Sequence, residues 1–207
     1  EGTAAAVSFA EKSGARRFVF VSSPSVYAAA RDRIGIREDD VDPGNRLNDY
    51  IRSKLAAEEL LREAQRAGRI HELVIVRPRG LIGAGDPSLV PRLIAVHRRI
   101  GVPLFDDGRN LIDVTAVENA ASALRLALRA GDPAGGVYNI SNGDPRPFRE
   151  LLEGLLSRLG ETPRFRRLSR RGAWTLAASL EGICRALPGR PEPPLTRYRP
   201  WSRSTGR

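Results

Sequence analysis

Apolar and polar positions in the first half of the chain follow two alternating patterns. Short apolar runs rich in strand formers, at 18–21 and 73–76, predict strands that are buried on both faces. Before each run, apolar residues recur at helical spacing, over 3–13 and over about 48–67, and each of these segments ends at a glycine. The order helix, strand, helix, strand predicts an α/β fold with a parallel sheet.

The second half of the chain has a different pattern. Its apolar spacing predicts four helices, over about 88–99, 117–129, 148–159 and 172–187. A single strand is predicted at 137–140. We therefore expect a smaller, mostly helical lobe over 86–187, with some return to the sheet built by 1–85. A proline- and arginine-rich tail, 188–207, is expected to carry little order.

Composition excludes several classes of protein. With 207 residues, 41% hydrophobic and 28% charged, the chain has the balance of a globular protein rather than a disordered one. The sequence has no apolar run long enough to cross a bilayer and no signal-peptide pattern. A single cysteine, Cys184, excludes an internal disulfide framework, so we expect a cytoplasmic protein. Because the chain has no methionine and opens on Glu1, we expect it to be part of a longer protein.

The net charge of +10 raises the question of a nucleic-acid partner. Of the 34 lysines and arginines, only Lys12 and Lys54 are lysines, and the arginines are scattered along the whole chain. Scattered charge favours a solvated surface, so no nucleic acid is expected. The exception is a cluster in the C-terminal third, for which an anionic partner is the alternative: Arg164, Arg166, Arg167, Arg170 and Arg171. His71 and His97 have no metal-ligand spacing, and no metal site is expected.

Tyr50 and Lys54 stand four residues apart in the helix predicted over about 48–67. Both side chains therefore leave the same face of that helix, about one turn apart. A lysine ammonium near a phenol stabilises the phenolate and lowers a phenol pKa from about 10 towards working pH, which suits tyrosine to acid/base catalysis. An ordinary exposed pair on a helix is the alternative interpretation.

Three serines follow the first predicted strand. Ser22, Ser23 and Ser25 come directly after its carboxyl end, and open parallel sheets bind ligands outside the carboxyl ends of their strands. These hydroxyls are therefore expected to face a binding site, although serines can also be simple turn formers.

Together with the downstream tyrosine–lysine helix, this segment resembles the extended short-chain dehydrogenase/reductase family, the NAD(P)-dependent epimerase, dehydratase and 3β-hydroxysteroid dehydrogenase-like enzymes. The resemblance covers about 1–160 and runs through eight ordered segments: Gly2-Thr3, Arg17–Ser23, Tyr50–Lys54, Val76–Gly80, Gly83–Asp86, Asp107-Gly108, Ile112–Val114 and Val137–Ser141. It implies a partial Rossmann fold, a doubly wound parallel sheet whose C-terminal half is 1–85.

The resemblance also implies roles for individual residues. Ser23 would hydrogen-bond the reacting oxygen of a small-molecule substrate, Tyr50 would move the proton, and Lys54 would contact the ribose of NAD or NADP. The cofactor supplies the redox chemistry, and the protein supplies position and electrostatics. The implied cofactor-binding residues are Ser22, Tyr50, Lys54 and Pro78. The implied substrate-binding residues are Ser25 and Tyr27.

Two segments separate branches of this family. Dehydratases carry Thr-Asp-Glu where this chain has Ser23-Pro24-Ser25, so dehydration is disfavoured. The segment 111–119 resembles the 3β-hydroxysteroid and sterol dehydrogenases, although Ala116 replaces their aromatic residue. We therefore expect an NAD(P)-dependent oxidoreductase acting on a secondary alcohol or ketone, with a nucleotide-sugar epimerase as the alternative. From other classes, the alternatives are a basic nucleic-acid-binding module and an inactive fragment.

One glycine-rich segment imitates a cofactor motif. The segment 80–85 follows a predicted strand, but Asp86-Pro87 follows it instead of a close-packed helix. It is therefore not the dinucleotide fingerprint, which the resemblance places upstream of this chain. We expect the isolated chain to bind the cofactor weakly or not at all.

The last predicted helix has one apolar face, made by Trp174, Leu176, Leu180 and Ile183. At this length it cannot span a bilayer, so no transmembrane span is expected. Core packing or a lid over an apolar substrate is the expected role, and peripheral membrane contact or partner contact is the alternative. A homodimer is an open option for the assembly.

Overall fold

A parallel sheet of three strands organises the fold. The computed structural model describes residues 1–29, 33–87, 89–168 and 204–205. In its central sheet β3 (Glu72–Pro78) lies between β1 (Arg17–Val21) and β8 (Ala134–Ile140), and both neighbours run parallel to it. The helices are α1 (Gly2–Ser13), α2 (Asp49–Arg66), α3 (Leu89–Ile100), α4 (Val117–Ala127) and α5 (Phe148–Arg158).

The central strand explains why the sequence shows an unbroken apolar run. Leu73 and Ile75 point to one face of the sheet, where they pack with residues of α1 and α2. Val74 and Val76 point to the other face, where they pack with α4. Helices on both faces of a parallel sheet make a doubly wound arrangement, which confirms the predicted α/β, Rossmann-type fold.

Helix boundaries follow the signals in the sequence. Asn48 caps α2, because its side-chain oxygen accepts a hydrogen bond from the Ile51 amide at 2.8 Å. The cap places Tyr50 in the first turn of α2. At the end of α1, Gly14 adopts a left-handed conformation with φ of 64°, which a glycine adopts without strain.

The first strand differs from its prediction. It was expected to be buried on both faces, but its residues are only partly buried and Val21 is exposed. The cause is its position, since β1 is an edge strand of the central sheet and no described strand pairs with its outer side. Phe9 of α1 is 73% exposed and lines a surface hollow together with Phe18 and Val19 of β1.

The lobe beyond residue 85 contains more strand than expected. Its short strands are β5 (Val102–Phe105), β6 (Leu111–Ile112), β7 (Val114–Ala116), β9 (Arg146–Pro147) and β10 (Phe165–Leu168). These strands form small sheets of two to four strands, which the apolar pattern does not predict. Three further short strands take part in the small sheets: β2 (Arg33–Ile34), β4 (Gly80–Ile82) and β11 (Ser204–Thr205). In this part of the chain, β8 is a strand of the central sheet. The predicted helix over 172–187 and nearly all of the tail 188–207 lie outside the described residues.

A second core holds this lobe together. Val102 and Leu104 of β5 pack against Leu152 of α5, and Phe165 of β10 covers them. His97, at the end of α3, is buried, and its Nε2 lies 3.0 Å from the Thr162 carbonyl oxygen and 3.2 Å from the Arg164 amide nitrogen. The histidine therefore joins α3 to the segment before β10.

Four polar side chains form a buried network between β1, α2 and β3, the Ser22–Tyr27–Glu58–Arg77 network. Arg77 donates two hydrogen bonds to Glu58, from Nε at 2.9 Å and from Nη2 at 2.6 Å, and both side chains are about 98% buried or more. Ser22 donates to the same carboxylate at 2.6 Å. Arg77 also donates to the hydroxyl of Tyr27, which in turn donates to Asn139 at 2.8 Å.

This network sets the charge states of its members. Burial raises the pKa of Glu58, but the hydrogen bonds from Arg77 and Ser22 outweigh burial and leave that pKa below its ordinary value. Burial raises the pKa of Tyr27 above its ordinary value, although Arg77 opposes that shift. The network therefore holds Glu58 as a carboxylate and Tyr27 as a neutral phenol.

Core packing around α2 leads to a stability prediction. Leu61 on α2 is fully buried, and Leu126 on α4 is 66% exposed. Leu61→Ala should lower the free energy of unfolding by about 2–5 kcal/mol, because it removes buried methyl groups and leaves a cavity. The matched Leu126→Ala should change it by less than about 0.5 kcal/mol. Urea unfolding measures both, and equal losses would contradict this account of the core.

The buried ion pair leads to a prediction about pH. Glu58→Gln keeps the size of the side chain but leaves the buried charge of Arg77 without its counter-ion, which should cost about 3–5 kcal/mol of stability at neutral pH. Because the folded pKa of Glu58 is lowered, wild type has this advantage in full above the unfolded value of about 4.3 and loses it as pH falls through the folded pKa. Urea unfolding of wild type and variant between pH 7 and about pH 3 measures the difference, and a gap that stays constant with pH would refute the assignment.

Candidate active site

A cavity of about 630 Å³ opens at the carboxyl ends of β1 and β3. Residues that follow the two strands form one side, and the first turns of α2 contribute Tyr50 and Lys54. The glycine-rich turn 83–85 and the start of α3 close the opposite side. This size fits a small-molecule site. The position agrees with the rule that open parallel sheets bind ligands beyond the carboxyl ends of their strands.

The structure brings most of the predicted site residues together. Lining the cavity are Ser22, Ser23, Ser25, Tyr50, Lys54 and Pro78. Tyr27 is not brought into it, because it is 98% buried among Val26 and Ile36 and its hydroxyl joins the Ser22–Tyr27–Glu58–Arg77 network. A hydroxyl near a strand end suggested a site residue, but the turn after β1 directs this ring inwards.

Tyr50 and Lys54 keep the arrangement that their spacing predicts. The Lys54 ammonium lies 5.8 Å from the centre of the Tyr50 ring and 5.2 Å from that of Phe20. It also donates a hydrogen bond to the Val21 carbonyl at 3.1 Å. Lys54 is therefore anchored to the end of β1, with its charge next to a tyrosine that is 52% exposed. A fixed cation beside an accessible phenol can support proton transfer.

The serine turn is fixed by its own hydrogen bonds. Ser23 caps a short 3-10 turn, Pro24–Tyr27, and its Oγ accepts from the Ser25 amide at 3.2 Å. The Ser23 hydroxyl also lies 3.1 Å from the Ser25 hydroxyl. The two hydroxyls are thus held as a pair at the cavity wall. Ser22 differs from them, because its hydroxyl donates to Glu58 beneath the cavity.

Two buried charged residues at the site, Arg79 and Asp113, were not identified as functional candidates from the sequence pattern. Arg79 lines the cavity although it is 96% buried, and Asp113 lies buried within its electrostatic reach. Burial lowers the pKa of Arg79, and the charge of Asp113 opposes that shift. Nothing in the apolar periodicity marks a buried arginine. The one available signal was the position of Arg79 directly after a strand end, next to Pro78.

The glycine-rich segment 80–85 is part of the cavity wall. Gly80 begins β4, and the turn that follows leads to Asp86, which caps α3 by accepting from the Leu89 and Val90 amides. A Cβ on Gly83 would meet Val117 at 2.3 Å, so the close approach of these two segments requires glycine there. The glycines thus serve packing of the wall.

Outside the cavity, the charged side chains pair mostly with one another. Exposed or partly buried ion pairs join Arg16 and Arg17 to Glu72, Arg69 to Glu11 and Arg98 to Glu161. Across the described ranges, no group of three or more His, Cys, Asp or Glu side chains could hold a metal ion. Within the same ranges, no helix is long and apolar enough to cross a membrane.

Comparison with known proteins agrees with this geometry. A 2-alkyl-3-oxoalkanoate reductase from Stenotrophomonas maltophilia (strain K279a) is 36% identical over 203 residues, which are 95% of this chain and 61% of that protein. A decarboxylating sterol-4-alpha-carboxylate 3-dehydrogenase from Schizosaccharomyces pombe is 31% identical over 207 residues, 96% of this chain and 59% of that protein. The chain thus spans about three-fifths of the length of these curated relatives.

A solved structure shows the same likeness. The structure of RMD from Pseudomonas aeruginosa complexed with NADPH matches with a TM-score of 0.65 and 26% identity, over 82% of this chain and 60% of that one. Other similar structures contain NAD. The model of the NAD dependent epimerase/dehydratase family matches residues 1–141. This match covers more than half of the sequence, and the chain belongs to the NAD dependent epimerase/dehydratase family.

Proposed function

We propose that the whole protein is an NAD(P)-dependent oxidoreductase that acts on a secondary alcohol or ketone, with this chain supplying the catalytic side chains. The observation that carries the proposal is the shared cavity at the end of β1 and β3, where Ser23, Tyr50, Lys54 and Pro78 meet. The ammonium of Lys54 lies 5.8 Å from the centre of the Tyr50 ring, and this neighbouring charge supports a role for Tyr50 in proton transfer.

Tyr50 carries the proton in this proposal. In the reductive direction its hydroxyl donates a proton to the carbonyl oxygen of the substrate, and in the oxidative direction its phenolate accepts one from the alcohol. Lys54 stabilises the phenolate by its charge, and its hydrogen bond to the Val21 carbonyl keeps that charge in place. Ser23 positions the reacting oxygen with its hydroxyl, which Ser25 holds at the cavity wall.

The cavity fits one end of a dinucleotide. Lys54 can donate to ribose hydroxyls, and Pro78 gives a flat, rigid surface where β3 ends. NAD or NADP supplies the hydride chemistry when bound. The Ser22 hydroxyl already donates its proton to Glu58, so a cofactor contact at Ser22 would use its oxygen lone pairs or backbone.

The wall opposite Tyr50 favours an apolar substrate over a sugar. It carries aliphatic side chains from β4, α3 and α4, namely Leu81, Ile82, Leu89 and Val117. The names of the two curated relatives describe substrates with an oxygen function at one carbon and a carboxylate attached to the next, a 3-oxoalkanoate and a sterol 4-carboxylate with a 3-dehydrogenase reaction. We propose the same class here, a β-oxy acid with an apolar body.

The remaining parts of the cofactor site belong, in this proposal, to residues outside the described chain. The outer side of β1 is not paired with another described strand, and Phe9 is exposed beside it. A further βα unit of the whole protein would cover both and bring its helix N-terminus to the pyrophosphate. The cytoplasm as location, a homodimer as assembly and the absence of a nucleic-acid partner stay predictions.

The first prediction from this site concerns the proton carrier. In the full-length protein, Tyr50→Phe should lower turnover by about 10²- to 10⁴-fold, because it removes the acid/base group, while cofactor affinity stays nearly unchanged. Tyr138→Phe is the matched control, since Tyr138 lies away from the cavity and its hydroxyl accepts from the Asp132 amide. Steady-state kinetics with NADH and NADPH measure both variants. A Tyr50→Phe enzyme that keeps most of its turnover would overturn the assignment.

The second prediction distinguishes Lys54 from Tyr50. Lys54→Ala should weaken cofactor binding and lower turnover together, because it removes both a ribose contact and the charge beside the phenol. Lys12→Ala is the control, since Lys12 is the only other lysine and lies in the last turn of α1. Titration of the cofactor and steady-state kinetics separate the two effects. Unchanged cofactor affinity in Lys54→Ala would refute the ribose contact.

A further inference from the structure

Three aliphatic side chains stay accessible on one side of the active-site cavity. Leu81 is 45% exposed, Leu89 48% and Val117 38%. All three residues line the cavity that also contains Ser23 and Tyr50. Single apolar side chains scattered over a surface need no explanation, but a group of them within one cavity marks a surface that binds an apolar ligand.

The backbone holds these three side chains in place. Leu81 is the middle residue of β4, which pairs with β7. Leu89 begins α3, and the Asp86 carboxylate accepts hydrogen bonds from the Leu89 amide at 3.0 Å and the Val90 amide at 2.8 Å. Val117 begins α4 directly after β7. A strand and the starts of two helices therefore give the aliphatic surface a fixed shape.

Val117 differs from the two leucines because it meets the cavity wall at a glycine. A Cβ on Gly83 would lie 2.3 Å from Val117 Cγ1 and 3.0 Å from Val117 Cβ. This valine therefore occupies the space that a side chain at position 83 would need. Gly83 lines the cavity as well. The room beside the glycine-rich turn thus depends on how many carbon atoms the side chain at position 117 carries.

We propose that Leu81, Leu89 and Val117 form an alkyl subsite for the apolar part of the substrate, and that Val117 limits the length of the alkyl chain that fits. This assignment rests on the proposed oxidoreductase function, because it requires the reacting oxygen of the same substrate to lie near Tyr50. Val117 is then a specificity-determining residue, and it takes no part in the proton chemistry.

An alkyl subsite makes the kinetics depend on chain length in a defined way. Each methylene that leaves water for an aliphatic surface should raise kcat/KM by about fourfold, and the rise should stop at the first carbon that no longer fits. Val117→Ala removes two methyl carbons from the cavity wall. The limit should therefore move to a longer chain in this variant.

The competing account makes Val117 a packing residue that only holds the glycine-rich turn against α4. Its truncation would then slow the reaction of every substrate to the same extent and leave the preferred chain length unchanged. The chain length at which kcat/KM is highest separates the two accounts, whereas a loss of activity alone does not.

The experiment uses the full-length protein with NADH or NADPH and a series of 2-alkyl-3-oxobutanoates whose alkyl group grows from methyl to decyl. Val117→Ala should move the optimum to a chain that is about two carbons longer, the number of carbons removed from the wall. Leu89→Gln should lower kcat/KM of the longest substrates that fit by about tenfold and leave the methyl compound nearly unchanged, because it places a polar amide in the subsite. Leu126→Ala is the control, since Leu126 is an exposed residue of α4 away from the cavity, and it should keep the wild-type profile.

A double variant tests the geometry itself. Gly83→Ala alone would clash with Val117 Cγ1, but Val117→Ala removes that atom, and the new methyl group takes nearly its place, 3.0 Å from the Cβ at position 117. Gly83→Ala combined with Val117→Ala should therefore return the optimum towards the wild-type chain length. A double variant that keeps the longer optimum would show that the space beside Gly83 does not set the limit.

The remaining outcomes separate the subsite from the proposed function. An unchanged optimum in Val117→Ala overturns the size limit, and a wild-type profile without any dependence on chain length overturns the subsite; both leave the oxidoreductase function standing. If Val117→Ala does not fold, the wild-type profile and Leu89→Gln decide. Folded wild type that reduces no member of the series with either cofactor overturns the proposed function itself.

Discussion

The buried ion pair between Glu58 and Arg77 is the contact on which the site depends. Glu58 belongs to α2 and Arg77 to β3, and the two side chains meet through two hydrogen bonds in a region from which water is excluded. Ser22 ties the end of β1 to the same carboxylate. Because a buried charge is stable only with its partner in place, α2 cannot slide along the sheet without exposing or isolating one of these groups. The pair therefore fixes the register of the helix that carries Tyr50 and Lys54.

This constraint explains how an exposed residue can be positioned for chemistry. Tyr50 is half exposed, so burial of its own side chain does not hold it in place. Two anchors act on the same helix instead, the Asn48 cap before it and Glu58 two turns beyond. Lys54 adds a third through the Val21 carbonyl. The reactive face of α2 can thus remain open to ligands while its opposite face supplies the rigidity that catalysis needs.

The apolar periodicity predicted the helices and the two main strands because burial on a face or on both faces leaves a period in the sequence. Ser23, Tyr50, Lys54 and Pro78 could be placed together since strand ends and one helix face bring them to one edge of the sheet.

Glu58 and Arg77 carry no such period, because a charge in the core is paired across the fold and 19 residues separate the partners. Short strands such as β4 and β7 hold too few residues to show alternation, so their pairing was not foreseen. Tyr27 was misplaced because the sequence does not tell which way a 3-10 turn points its ring.

Two arginines two residues apart show how the same side chain takes different roles. Arg77 lies in β3, and its guanidinium donates hydrogen bonds to the Glu58 carboxylate, the Tyr27 hydroxyl and the Glu38 carbonyl. All three nitrogens of this guanidinium therefore bond to protein acceptors. Arg79 lies beyond Pro78, where the strand has ended, and it is one of the residues that line the cavity, although it is 96% buried. The negative charge of Asp113 acts on Arg79 through space. The two carboxylate oxygens of Asp113 accept no hydrogen bond from the described residues. The two arginines therefore differ in their surroundings, because Arg77 belongs to a hydrogen-bonded network beneath the cavity, whereas Arg79 follows the end of β3, where the charge of Asp113 opposes the effect of burial.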